Sequence, residues 1–162
     1  MPQAKLTPND MPHATIEDEH FDLEAWPFYW LSKAHGQYFA KLENALREVE
    51  LDIPRWRVLM LLEPERARSV SYLASGAIIK VSTMTRIVQR MQEEGLVITR
   101  PRETDARVTE VLLTGNGRRA RTLAWQKANG IFTHTFKDIP LDTITTLNDT
   151  LGVIVKNLEE LP

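Results

Sequence analysis

The side chains best suited to chemistry lie between Lys80 and Glu94. At helical spacing Val81, Met84, Ile87, Val88 and Met91 fall on one face, and Ser82, Thr83, Thr85, Arg86, Gln89 and Arg90 on the other. Hydroxyls can bond phosphate oxygens or base edges, and an arginine fork matches the acceptor edge of guanine. Lys80 stands where the free N–H groups of a helix start also favour phosphate. Beyond Gly95, a helix stop, Arg102 and Arg107 flank a charged loop that contains Asp105, within reach of phosphate or an adjacent minor groove. The plainer alternative is a solvated helix face followed by a solvated turn.

The elements around this face follow from local signals. Trp26-Pro27 opens a first helix, with Asp22 and Glu24 upstream and an apolar stripe through Phe28, Leu31, Ala34, Tyr38, Leu42, Ala45 and Val49. His35 sits on the edge of that stripe. A second helix follows Asp52, with Pro54 in its first turn and the apolar run Val58 to Leu62 marking it as central. Ser69 caps a short third helix that closes near Gly76. After the fourth helix come two strands, Leu96–Arg100 and Val108–Leu113, joined by a loop from Pro101 to Arg107. A long helix then carries Ala120, Leu123, Ala124, Ala128, Ile131 and Phe132, weakened locally by Gly130. Beyond Pro140, the positions Ile144, Leu147, Leu151, Ile154, Leu158 and Leu161 follow a heptad spacing suited to a dimer contact.

Chain-wide properties bound the rest. With 162 residues, 43 % of them hydrophobic, one packed domain with a helical appendage is the expected size. The net charge of -2 argues mildly against nucleic acid, but the charge is segregated. From Lys80 to Arg121 nine cations face five anions, whereas the first 24 residues carry six acids against Lys5. The absence of cysteine removes disulfides, thiolate metal sites and thiol redox sensing. His13, His20, His35 and His134 are scattered, with no close pair at metal-ligand spacing. No apolar run reaches membrane-span length and no signal-peptide pattern is present, so a soluble cytoplasmic chain is expected.

Several segments, taken in order, resemble one family. Ser82-Thr83-Met84-Thr85-Arg86, then Glu93-Glu94-Gly95-Leu96-Val97, then Asp105-Ala106-Arg107 with Leu112-Leu113-Thr114-Gly115 look like the MarR family of bacterial regulators, over about residues 26–160. The resemblance implies a mainly α fold with a small β-hairpin: a winged helix-turn-helix with long N- and C-terminal dimerisation helices. It divides the chain into an acidic N-terminal arm (1–24), a helical dimerisation region (25–50 and 115–162) and a winged helix-turn-helix lobe (51–114). It further implies a homodimer, with Ile144, Leu147, Leu151, Ile154 and Leu158 at its contact, reading a palindromic operator in double-stranded DNA. By that likeness Lys80, Ser82, Thr83, Thr85, Arg86, Gln89, Arg90 and Arg102 face DNA, and Arg107 sits at the wing with Asp105 orienting it or a neighbouring arginine. One departure is Lys80, where the family often has aspartate; it removes a capping interaction and can add a phosphate contact.

The resemblance also implies a small-molecule effector and no cofactor. In this fold the pocket lies between the first two helices, the start of the fifth helix and the DNA-binding lobe. There Trp30, His35, Tyr38, Arg55, Trp56 and Arg57 put aromatic faces beside cationic donors, a pairing suited to a planar anion. The plainer reading makes Trp30, Tyr38 and Trp56 core, His35 a satisfied interface residue, and Arg55 and Arg57 surface cations. A narrower likeness, carried by Phe28-Tyr29-Trp30-Leu31, Ile53 through Met60 and Ser82 through Met91, is to regulators of lignin-derived aromatic catabolism. It implies an aromatic acid or its coenzyme A thioester as effector and repression as the default. Two rivals stand beside this reading. A small enzyme is disfavoured by missing nucleophile, phosphate-loop and metal motifs. A winged-helix module for protein contact shares the fold, and Arg86, Arg90 and Arg107 favour DNA over it.

Overall fold

Proline at position 27 fixes where the first long helix begins. The computed structural model describes residues 22–161, and the expected acidic arm lies outside these except for its last three residues. Those three are not loose: Asp22 caps a 3-10 turn, Leu23–Ala25, by accepting the Glu24 N–H at 2.9 Å. Helix α1 (Pro27–Arg47) follows, with Leu42 and Leu46 buried at its C-terminal half. The expected stripe is thus buried only towards that end, and Phe28 stands half exposed. Helix α2 (Ile53–Leu61) starts as expected, its Asp52 cap accepting the Arg55 N–H at 2.9 Å. Val58, Leu59 and Leu62 are fully buried, which makes α2 the centre of the core.

Strand β1 (Arg68–Ser69) has no counterpart in the sequence reading, because two residues carry no period to detect. Ser69 also caps α3 (Val70–Ala77) through the Tyr72 N–H at 3.1 Å. That helix closes on Ile78 in the left-handed region (φ 56) rather than at Gly76. Gly76 instead faces α2, where an added Cβ would lie 2.8 Å from the Leu61 side chain.

Helix α4 (Val81–Glu93) buries Met84, Val88 and Met91, and ends at Gly95 with φ +69, a conformation glycine adopts without strain. The hairpin strands are longer than expected. β2 (Val97–Arg102) and β3 (Asp105–Leu113) shrink the loop to Glu103 and Thr104, with a register shift between Pro101 and Arg102. The antiparallel sheet has the order β1-β3-β2, and Val97, Val111 and Leu113 face the core.

Helix α5 (Gly115–Thr135) is capped by Thr114, whose hydroxyl accepts from Gly117 N and donates to the Gly95 carbonyl at 2.6 Å. Gly117 runs so close to the preceding turn that a Cβ would sit 1.9 Å from the Leu96 carbonyl oxygen. The helix continues unbroken through Gly130 and packs against α1 and α2. Helix α6 (Leu141–Glu159) has no buried residue. A chain that is mainly helical with a small sheet is therefore what the sequence reading expected, with one extra strand.

Candidate nucleic-acid interface and effector cavity

The expected DNA-facing residues of α4 share an exposed surface. Ser82, Thr83, Thr85, Arg86, Gln89 and Arg90 are all exposed, and Lys80 stands at the helix start with no side-chain cap, as loss of an acidic cap requires. Val81, expected on the buried face, is instead 52 % exposed, because at the first helical position it lies clear of the turn that buries Met84. Thr85 donates its hydroxyl to the Val81 carbonyl at 2.9 Å. A groove of about 960 Å³ runs between α4, the start of α3 and the hairpin, lined by Ser69, Ser71, Val81, Thr85, Gln89 and Arg107 among others.

The arginines in and around this surface divide by partner. Arg86 is exposed and has no ion-pair partner among the described residues. Arg107 projects from β3 with its side chain 92 % exposed, and Asp105 accepts from both its backbone N–H and its Nε at 3.1 Å. That contact with Arg107 holds the Asp105 carboxyl below its ordinary value. Arg102 and Arg100 both donate to Glu110, at 3.0 and 3.2 Å, and lower its carboxyl likewise, Arg102 most strongly. Arg90 donates to Glu94 at 2.9 Å and lies 3.5 Å from Asp52. Arg90 and Arg102 are thus held by internal carboxylates, which sequence spacing alone did not reveal.

Asp52, Arg55, Glu94 and Arg90 close a four-residue ring. Arg55 donates to Glu94 Oε2 at 2.8 Å, and its Nε is 3.2 Å from Asp52 Oδ1. Its side chain is 13 % exposed. Burial opposes its charge, yet the Glu94 hydrogen bond and the Asp52 charge hold its guanidinium above the ordinary value. Arg57 stacks on Phe39, 5.1 Å from the ring centre, and donates to the Ala77 carbonyl at 3.3 Å. Both guanidiniums, expected beside a ligand, therefore tie α2 to the ends of α4 and α3.

The aromatic candidates are brought together without them. Trp30, His35, Tyr38 and Trp56 line a mostly apolar cavity of about 900 Å³. Its other walls are Trp125, Asn129, Phe132 and Phe136 of α5 and its end, and Leu147, Leu151 and Ile154 of α6. The cavity lies against the second half of α5 and against α6, not at the start of α5 as expected. Three of the five expected seam residues face it, while Ile144 and Leu158 do not line it. Trp125, Asn129, Phe132 and Phe136 were missed; their three-four spacing was the available signal. No lysine or arginine lines the cavity among the described residues. Burial raises the Tyr38 phenol above its ordinary value, so it stays a neutral donor. Trp30 is oriented by its indole N–H, which donates to the Glu24 carbonyl at 2.7 Å. The Trp56 indole nitrogen is buried with no acceptor among the described residues.

Comparison with known proteins gives this geometry a family. The MarR family model matches residues 51–109. The transcriptional repressor IacR of Pseudomonas putida is 40 % identical over 149 residues, spanning 92 % of this chain and 89 % of that protein. The structure is similar to that of CouR from Rhodococcus jostii bound to p-coumaroyl-CoA, with a TM-score of 0.72 and 25 % identity over 78 % of this chain and 90 % of that one. It also shares its fold with Bordetella bronchiseptica BpsR, whose DNA binding is regulated by 6-hydroxynicotinic acid (TM-score 0.69, 17 % identity, 88 % of this chain, 99 % of that one). None of these likenesses is to an enzyme. The chain belongs to the MarR family of transcriptional regulators.

Proposed function

We propose that the chain is a homodimeric repressor that leaves a palindromic operator when an aromatic acid, or its coenzyme A thioester, occupies the cavity. The observation that carries this reading is the cavity itself: about 900 Å³ walled by Trp30, Tyr38, Trp56, Trp125 and Phe132, large enough for an aromatic ligand. The names of its relatives support it, since IacR is a repressor and CouR and BpsR are associated with aromatic compounds. Dimerisation is supported by α6, which has no fully buried residue within one chain and exposes Val153, Val155 and Leu158. On this reading residues 25–50 and 115–162 form the dimer and 51–114 the DNA lobe.

Lys80, Ser82, Thr83, Thr85, Arg86 and Gln89 enter the major groove, and Arg107, aligned by Asp105, reaches the backbone or the minor groove beside it. Arg90 and Arg102 act by holding Glu94 and Glu110. Two lobes must meet successive major grooves about 34 Å apart. A ligand that prefers a differently spaced dimer shifts the population away from DNA. Coupling of about 3 kcal/mol gives roughly hundredfold release. Because no lysine or arginine lines the cavity among the described residues, a charged group of the ligand is better accommodated at the cavity mouth than in its depth.

The test is a tryptophan-fluorescence titration, because Trp30, Trp56 and Trp125 all line the cavity. A panel of hydroxycinnamates, their thioesters and benzoates should contain a compound that quenches emission saturably and lowers DNA affinity over the same concentration range. Quenching with DNA affinity unchanged would refute the release mechanism.

A further inference from the structure

The proposed DNA-facing surface is not uniformly polar. Val81, Thr85 and Gln89 follow one another at steps of four along α4, so they form a single row one turn apart. All three line the groove between α4 and the hairpin. Val81 leaves about half its surface in the open, at the N-terminal end of α4, the end that contacts base edges when a helix-turn-helix docks on DNA. A lone exposed valine is ordinary. Thr85 changes its meaning. The Thr85 hydroxyl proton is already engaged by the Val81 carbonyl at 2.9 Å, so the side chain offers a base its methyl and, from the hydroxyl, acceptor lone pairs alone. The row therefore runs isopropyl, methyl, carboxamide.

Only one base edge in the major groove offers an apolar group, the 5-methyl of thymine, and a carboxamide matches the N6/N7 edge of adenine. We infer that Val81 and Thr85 read thymine methyl groups in the operator half-site, with Gln89 on an adenine in the same groove. This rests on the DNA-binding reading above and makes it specific. Arg86, in a neighbouring row and without an ion-pair partner among the described residues, supplies phosphate or guanine contact; the apolar pair sets which A·T positions are tolerated.

Deoxyuridine differs from thymidine only by that methyl, so replacing one base with the other isolates the contact. A duplex is first selected by the full-length protein from a randomised pool, and each thymine of one half-site is then replaced singly by uracil. At one or two positions wild-type affinity should fall about fourfold, the worth of one buried methyl. Val81→Ala, which favours the helix, should bind the thymine and uracil duplexes equally at its position. Thr85→Ser, which keeps the hydroxyl bond and loses only the methyl, should do the same at the other. Uniform wild-type affinity for every uracil duplex would overturn the inference while leaving DNA binding intact. Unaltered thymine preference in both variants would overturn it too, by assigning the methyl to another side chain. Selection of no duplex would remove the DNA-binding reading itself.

Discussion

Arg55 donates to Glu94 across 2.8 Å, and this contact joins the first turn of α2 to the last turn of α4. The next residue, Trp56, lines the cavity, and the one after, Arg57, holds the C-terminal carbonyl of α3. Three consecutive side chains thus connect the cavity wall to both α3 and α4. Arg55→Ala leaves Glu94 facing Arg90 alone and removes a largely buried cation from its partners. The expected loss is about 1–3 kcal/mol in urea unfolding, together with weaker DNA binding. Unchanged unfolding and unchanged DNA affinity would assign the ring no role.

The arginines of α4 should separate in a salt titration. Arg86→Ala removes a cation with no ion-pair partner among the described residues, so it should reduce the salt slope of DNA binding by about one. Arg90→Ala should leave that slope nearly unchanged, since Arg90 is held by Glu94 and Asp52. Equal slopes for the two variants would contradict the division.

The hairpin should respond to acid. Asp105 and Glu110 have folded pKa values below their ordinary 3.8 and 4.5, through Arg107 and Arg102 respectively. A depressed carboxylate contributes stability that is fully present above the ordinary value and is lost as pH falls through the folded one. Asp105 is half exposed, the Glu110 side chain is 14 % exposed, and both pair with arginines of the hairpin itself, so the effect is local fraying of β2 and β3. Carboxyl chemical shifts should titrate below the ordinary values, and Arg107→Ala should return Asp105 towards 3.8. An Asp105 midpoint at or above 3.8 in the wild type would sink this account.

Two glycines of one helix should behave oppositely. Gly117→Ala pushes a methyl against the Leu96 carbonyl, where backbone must move, and should destabilise by about 3 kcal/mol or more. Gly130→Ala meets nothing within 4 Å in mid-helix and should stabilise by roughly 0.5–1 kcal/mol. Thermal melts of the two variants give the comparison directly.

Helices α1, α2 and α3 were legible because a local signal, Pro27, Asp52 or Ser69, marks the start of each, whereas α4, which starts at Lys80 with no side-chain cap, was legible from its 3.6-residue period. Strand β1 was not, because its two residues are fixed by pairing with Val111 and Glu110 rather than by pattern. The polar side of α4 was readable in advance, but the internal capture of Arg90 by Asp52 depends on how α2 crosses α4. The same tertiary contact withdrew Arg55 from the expected ligand site. Val81 escaped the periodic reading because the first turn of a helix overhangs its own core. The cavity was half foreseen: its α1 wall and Trp56 were named from aromatic content, while most of its α5 wall went unmarked and its α6 wall was read as a dimer seam.

The most direct test is fluorescence anisotropy of the purified protein on duplexes from its own upstream region. It is run at two salt concentrations, with and without the aromatic panel. Tight, salt-sensitive binding of a dimer to one palindromic duplex, weakened by one panel member, is the predicted result. No binding to any fragment at low salt would contradict the central claim and favour a winged-helix module that contacts protein.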